Sequence, residues 1–243
     1  MKTLQIFGEN WVNGAAITVS SGDQVKGYLR DRNPATRWAS VGSDDTTIEI
    51  VEIAFLNAAG ASITRALNRI LLLGTNVKSM AASYKDSNGD WQTITTATIT
   101  SNTEIHLLIE LPAIIRTTAI KFFLYKTQTA DENKSITELK ICQFICAIDA
   151  WIEFDKINSY KQGNYFLGNG ELVSWREYRK ITGSLSLKNI VKAQRDIMLA
   201  AFEAYRYLTY VFYSDFDLAE TFELVLDDDI AEDVDRIAER YTL

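Results

Sequence analysis

Short alternating and apolar runs, not helical periodicity, fill the first 147 residues. Within residues 46–55, Ile48, Ile50 and Ile53 stand among polar neighbours, close to the period-two pattern of a half-buried strand. Residues 66–74 form a nearly continuous apolar run that stops at Gly74, which predicts a buried strand. Residues 79–85 and 91–95 flank Asp86-Ser-Asn-Gly-Asp90, the turn chemistry of a β-hairpin. Residues 15–19, 104–111, 119–125 and 138–144 read as further strands. Seven or more short strands punctuated by turns predict an antiparallel sandwich or jelly roll.

The pattern changes beyond residue 147. Residues 150–154, 171–175 and 180–187 read as strands, and residues 160–170, with three glycines and two asparagines, as a loop. From Ile190 to Tyr205 the apolar positions Val191, Ile197, Met198, Ala201, Phe202 and Tyr205 keep helical spacing, with Gln194 the one lapse. Asn189 stands where an N-cap belongs. Residues 207–213 and 221–226 are β-prone, and residues 231–240 suit helix or loop. The expected fold class is mainly β: a sandwich over 1–147, then a small α+β domain over 148–243 with one amphipathic helix on a sheet. No Pro-, Gly- or Ser-rich linker divides them, so the seam is expected near Ala147 to Ala150.

Composition narrows the function classes. Hydrophobic residues make up 47% and charged residues 23% of 243, ordinary for a globular chain with a sizeable core. A net charge of -7 argues against nucleic acid as a partner, because binding its backbone needs a basic surface. Residues 66–74 are far too few to span a bilayer, so no membrane partner is expected. Residues 1–8 hold no long apolar segment and lead directly into Glu9 and Asn10, so no signal peptide is expected and synthesis is placed in the cytosol. Cys142 and Cys146, if four apart on one strand, lie about 13 Å from each other, too far for a disulfide; both thiols are expected in the core. No Gly-x-Ser-x-Gly, Walker loop or His-Glu-x-x-His occurs, and His106 is the only histidine, so no catalytic set is expected. Glu49 and Glu52 make a carboxylate pair of the type glycosidases use, but nothing in the sequence puts them in one cleft.

Asp31-Arg-Asn-Pro-Ala-Thr-Arg-Trp38, answered by Ser135-Ile-Thr-Glu-Leu-Lys140, resembles the two ends of a discoidin-like, galactose-binding-like β-sandwich. Tyr84 to Trp91 is similar to that family's hairpin, and residues 68–78 and 118–124 are similar to two of its strands, so the resemblance covers roughly 14–147. It implies binding and attachment rather than catalysis. It also implies a possible structural Ca²⁺ held by Asp31, Asn33, Thr36 and Glu138, oxygen donors that suit the ion. The competing reading is a capped turn in which these side chains satisfy the backbone. Trp38 is expected in the core. Trp11, Tyr28 and Trp91 are weighed as a sugar-stacking platform against simple packing. Arg37, Lys78 and Lys126 fall near strand ends, and the candidate ligand set is Tyr28, Arg37 and Trp91.

Residues 163–178 and then Ile181-Thr-Gly-Ser-Leu-Ser-Leu187 resemble structural proteins of tailed-phage distal tails and baseplates, with the sandwich preceding the ring-like unit instead of following it. This resemblance implies a non-enzymatic component of a phage tail tip, baseplate or related contractile device. Such a protein assembles in the host cytoplasm, resides in the virion tail and forms a ring-like homo-oligomer against neighbouring tail proteins. Residues 207–213 are expected to offer an open strand edge between copies. The alternative is a carbohydrate-binding module for host or glycan adhesion.

Overall fold

The computed structural model describes residues 2–33, 35–42, 44–166, 172–188, 190–204, 208–212, 222–224, 233–235 and 240–242. The first half contains β1 (Lys2–Phe7), β2 (Ala16–Val19), β3 (Trp38–Ala39), β4 (Glu49–Ala54), β5 (Arg65–Leu73) and β6 (Val77–Lys85). It continues with β7 (Trp91–Ile99), β8 (Leu107–Thr117), β9 (Ala119–Thr127), β10 (Ser135–Ile136) and β11 (Glu138–Cys142). The five-stranded sheet β2-β4-β9-β6-β7 faces the three-stranded sheet β11-β5-β8. One apolar core draws on both: Val51, Ile53, Met80 and Phe122 from the first, Ile70 and Leu139 from the second. The expected sandwich is thus the fold of this half, and all its strand pairings are antiparallel.

Burial corrects one face assignment. In β4 the inward residues are Glu49, Val51 and Ile53. Ile50 points the other way and Ile48 is 51% exposed. A one-residue phase shift flips a strand's faces, and here the buried carboxylate of Glu49 disguised the phase. That carboxylate accepts hydrogen bonds from Ser20 Oγ and, at 2.9 Å, from Ser21 Oγ. The charge is therefore partnered where an unpaired one would be costly.

The second half contains β12 (Phe144–Phe166), β13 (Leu172–Lys188), β14 (Ile190–Val191), α1 (Lys192–Ala204), β15 (Leu208–Phe212), β16 (Phe222–Leu224), β17 (Asp233–Asp235) and β18 (Arg240–Thr242). Its main sheet runs β13-β12-β1-β15-β16. α1 lies against β12, β14 and β18, as a helix on a sheet. No described helix is long and apolar enough to cross a membrane.

Several expectations change here. Residues 160–166 are strand, not loop: Tyr160 to Phe166 continue the ladder to β13, with a register shift between Lys161 and Gln162 that absorbs the irregular, glycine-containing sequence. Within residues 231–240, expected as helix or loop, residues 233–235 are strand and pair with residues 240–242. Asn189, the proposed cap, lies outside the described residues. Residues 208–212 are not an open edge, because β15 pairs with β1 on one side and β16 on the other. The expected seam near Ala147 to Ala150 falls inside β12, whose residues 144–150 pair with β1.

β1 also ties this sheet to the sandwich. Phe7 packs with Leu71 and Cys142, and with the ring of Phe144 at a centroid distance of 6.3 Å. Arg69 stacks its guanidinium 4.6 Å over the same ring. Cys142 and Cys146 are both buried and in no disulfide, as core thiols. Burial pushes the Cys146 thiol up to about 11, because an apolar setting disfavours the thiolate.

Candidate functional site

Loops at one end of the sandwich converge on a cleft of about 340 Å³ lined by Arg37, Ala39, Asn76, Glu132, Asn133 and Ser135. Two devices position it. The first is the short pairing of β3 with β10, which sets Ala39 opposite Ser135 and Trp38 opposite Ile136. Trp38 is wholly buried and its Nε1 donates to Ser21 O at 3.2 Å, so Arg37 projects from an anchored neighbour. The second is Asn76, just after the turn at Gly74. Gly74 has φ +58°, and a Cβ there would collide with Thr137 Oγ1, so the turn requires glycine. Asn76 Nδ2 donates to Asn133 O at 2.9 Å and to Glu132 Oε2 at 3.4 Å, and its Oδ1 accepts from Ser135 N at 2.8 Å. Asn76 therefore serves the wall of the cleft.

Charges beneath the rim are also committed. Lys134 is wholly buried, and its Nζ donates to Asp44 O at 2.7 Å. Asp44 caps the next turn; the Thr46 and Thr47 hydroxyls, then their backbone N–H groups, lower its carboxyl to about 2. Asp45 is likewise held below its usual range, first by the Thr127 N–H, and also by the Thr127 hydroxyl and the charges of Lys134 and Lys126. What remains available is Arg37, which has no described partner and shares the cleft lining with Glu132 and Asn133. A guanidinium fork beside a carboxylate and an amide supplies donors and acceptors for neighbouring hydroxyls. No lining residue is aromatic.

The sequence-derived candidates separate in space. Arg37 lines the cleft. Tyr28, 38% exposed, rides the 3₁₀ segment Asp23–Arg30. Trp91 sits at the far end of the sandwich: Asn76 precedes the start of β6, while Trp91 pairs with Lys85 at its end, about 26 Å away along the strand. Trp91 and Arg37 therefore do not share a site. Trp11 is occupied, its Nε1 bonded to Ala66 O at 3.0 Å and Arg65 stacked 4.2 Å over its ring. Lys78 and Lys126 are both exposed, on paired strands at the cleft end.

Asp31, Asn33 and Thr36 satisfy one another. Asp31 Oδ1 accepts from Asn33 N at 3.0 Å and its Oδ2 from Thr36 Oγ1 at 2.6 Å; Asn33 Oδ1 accepts from Ala35 N at 3.1 Å. Glu138 opens β11 with its carboxylate 2.9 Å from Lys140 Nζ. The loop oxygens are thus bonded within their own turn, while Glu138 is held in its ion pair with Lys140 and its buried Oε1 accepts no hydrogen bond. Among the described residues no group of three His, Cys, Asp or Glu side chains is placed to hold a metal. Glu49 and Glu52 face opposite sides of β4, and Glu52 pairs with Lys121 Nζ at 3.1 Å, so they do not form a catalytic couple.

Sequence reading missed Asn76, Glu132 and Asn133. The available signal was positional: Asn76 follows a turn glycine, and Asp131-Glu-Asn is a polar loop just before the Ser135 segment.

No protein-family model and no curated protein matches the sequence. Solved structures similar to it include the family 32 carbohydrate-binding module of Clostridium perfringens NanJ in complex with galactose: 16% identical, 56% of this chain, 99% of that one, TM-score 0.45. Chitosan-binding module 2 of a Paenibacillus chitosanase/glucanase, in complex with chitotriose, is 20% identical over 54% of this chain and 98% of its own, TM-score 0.44. The family 32 carbohydrate-binding module of Streptococcus pneumoniae EndoD is 16% identical over 56% and 99%, TM-score 0.42.

Proposed function

We propose that this chain is a non-catalytic attachment protein whose sandwich binds a sugar in the Arg37 cleft. One observation carries the reading. Arg37 has no described partner and shares with Glu132 and Asn133 a cleft whose wall is fixed by Asn76. A positively charged fork and a carboxylate in one cleft match the hydroxyls of a pyranose, and the fixed wall lowers the ordering cost of binding. Without an aromatic platform the affinity is weak, and dense display of ligand compensates. Galactose and chitotriose, bound in two of the similar structures, are the first probes. Calorimetric or NMR titration is expected to give saturable binding by one of them. Arg37→Ala removes charge-assisted bonds of about 1.5–3 kcal/mol, so affinity should fall at least about tenfold. Binding that is indifferent to Arg37→Ala would refute the assignment.

A second reading, a structural component of a phage tail tip or baseplate, is favoured by a separate observation. β13 pairs only with β12 among the described strands, and β18 lies beside it without joining its ladder, which makes the remaining edge of this 17-residue strand a candidate for sheet addition. This edge replaces residues 207–213 as the candidate contact between copies. In this reading the protein is made in the host cytoplasm, assembles as a ring and remains in the virion tail, the sandwich docking a neighbour or a glycan. Negative-stain imaging with a solution mass tests it: closed rings support it, and a monomer at every concentration, alone and with tail proteins, counts against it.

A further inference from the structure

At the opposite end of the sandwich from Arg37, a second cleft of about 510 Å³ is lined by Thr64, Lys85, Asp86, Ser87, Asn88, Gly89, Arg116, Thr117 and Thr118. It lies between the β6–β7 hairpin turn and the tight turn joining β8 to β9. Lys85 and Arg116 are its two cations, and neither is in an ion pair with a described residue. In a chain of net charge -7, two cations outside any described ion pair in one concavity stand out against their surroundings.

The walls are fixed. Thr117, 2% exposed, accepts from Lys85 N at 3.1 Å, and its hydroxyl lies 2.7 Å from both Lys85 O and Ala119 O, with its one proton donated to either. The backbone at Lys85 is thereby tied to the β8–β9 turn. The one carboxylate in the cleft, Asp86, is spent on its own turn: Oδ1 accepts from Asn88 N and Asp90 N, and Oδ2 from Gln92 Nε2, each at 2.9 Å. Neither cation forms a described ion pair with it. Lys85 Nζ also lies 5.7 Å from the Trp91 ring centroid, and Lys121 Nζ lies 4.1 Å from it. The Trp91 ring is thus taken by cations, and hydroxyls of Thr64, Ser87 and Thr118 line the sides of the cleft.

We propose that this cleft binds an acidic sugar: Lys85 and Arg116 take a carboxylate or sulfate group while the rim hydroxyls meet the ring. The site is independent of the Arg37 cleft, and two sites at opposite ends would let one sandwich bridge two segments of a polysaccharide.

The test titrates the full chain by calorimetry and ¹H–¹⁵N NMR with trigalacturonate, its neutral methyl ester, a sulfated disaccharide and inorganic phosphate. Saturable binding is expected for the carboxylated or the sulfated sugar, and which one binds identifies the anion. Shifts should centre on residues 85–91 and 116–118. Lys85→Gln, at a half-buried position, and Arg116→Gln, at an exposed one, should each weaken binding about tenfold or more, while Arg37→Ala should leave it unchanged. No saturable binding of either acidic sugar would overturn the proposal. So would equal binding by the methyl ester, equal binding by phosphate alone, or insensitivity to both substitutions. Failure of the Arg37 reading appears separately, in the galactose and chitotriose titrations.

Discussion

Replacing Asn76 by alanine separates the architecture of the Arg37 cleft from its ligand chemistry. Asn76 accepts from Ser135 N at 2.8 Å and donates to Asn133 O at 2.9 Å. Ser135 is 5% exposed, so its N–H would be left buried and unpaired. Losing the two neutral hydrogen bonds costs about 1 kcal/mol each, and the stranded donor raises the total to roughly 2–4 kcal/mol. Arg37→Ala should cost under about 0.5 kcal/mol, since the side chain is exposed and unpartnered. Urea denaturation of the two variants beside the parent protein measures both, read as midpoint shifts at constant slope. If Asn76→Ala loses less than about 0.5 kcal/mol, or Arg37→Ala loses as much as Asn76→Ala, the division into wall and ligand contact is wrong.

Acid should remove a stabilising term through Asp44. Its folded-state pKa of about 2 lies below the ordinary 3.8, so its contribution is present above the unfolded value and is lost as pH falls from about 4 toward 2. Asp44→Asn should flatten that part of the stability–pH curve, and an unchanged curve would contradict the capping role. Millimolar Ca²⁺ should leave the melting temperature unmoved, because the oxygens of the Asp31 loop are engaged within their own turn; a rise that Asp31→Ala abolishes would establish the metal site. Cys146 in the folded protein should react slowly with a thiol reagent at pH 8, since its pKa near 11 keeps it protonated; reaction as fast as that of the unfolded chain would refute its burial.

Strands whose pattern is local were legible in the sequence. β5, β6, β7 and β9 follow from apolar runs and turn residues within a few positions. β1 was not legible: its partners lie near residues 144–150 and 209–212, so its assignment depends on pairings more than a hundred residues distant. Residues 160–166 carry turn-like glycine and asparagine and are strand only because β13 pairs with them. The same separation hid the cleft. Asn76 and Asn133 lie on different loops, and only the folded ladder brings them within 2.9 Å. Trp91 and Arg37 both looked ligand-like by residue type, and chain sequence cannot show that a nine-residue strand stands between their ends of the sandwich.

β1 and β12 are adjacent strands of one sheet, with Phe7 opposite Phe144 and Gly8 N bonded to Gln143 O at 2.8 Å. Residues 9–142 therefore leave and re-enter that sheet at one point, as a very large hairpin loop. Topologically the sandwich is a cassette carried by the second sheet. Its two points of attachment are close enough for a short turn to replace it, and another module whose ends lie equally close could be exchanged into the same place without rewiring the strands that carry it.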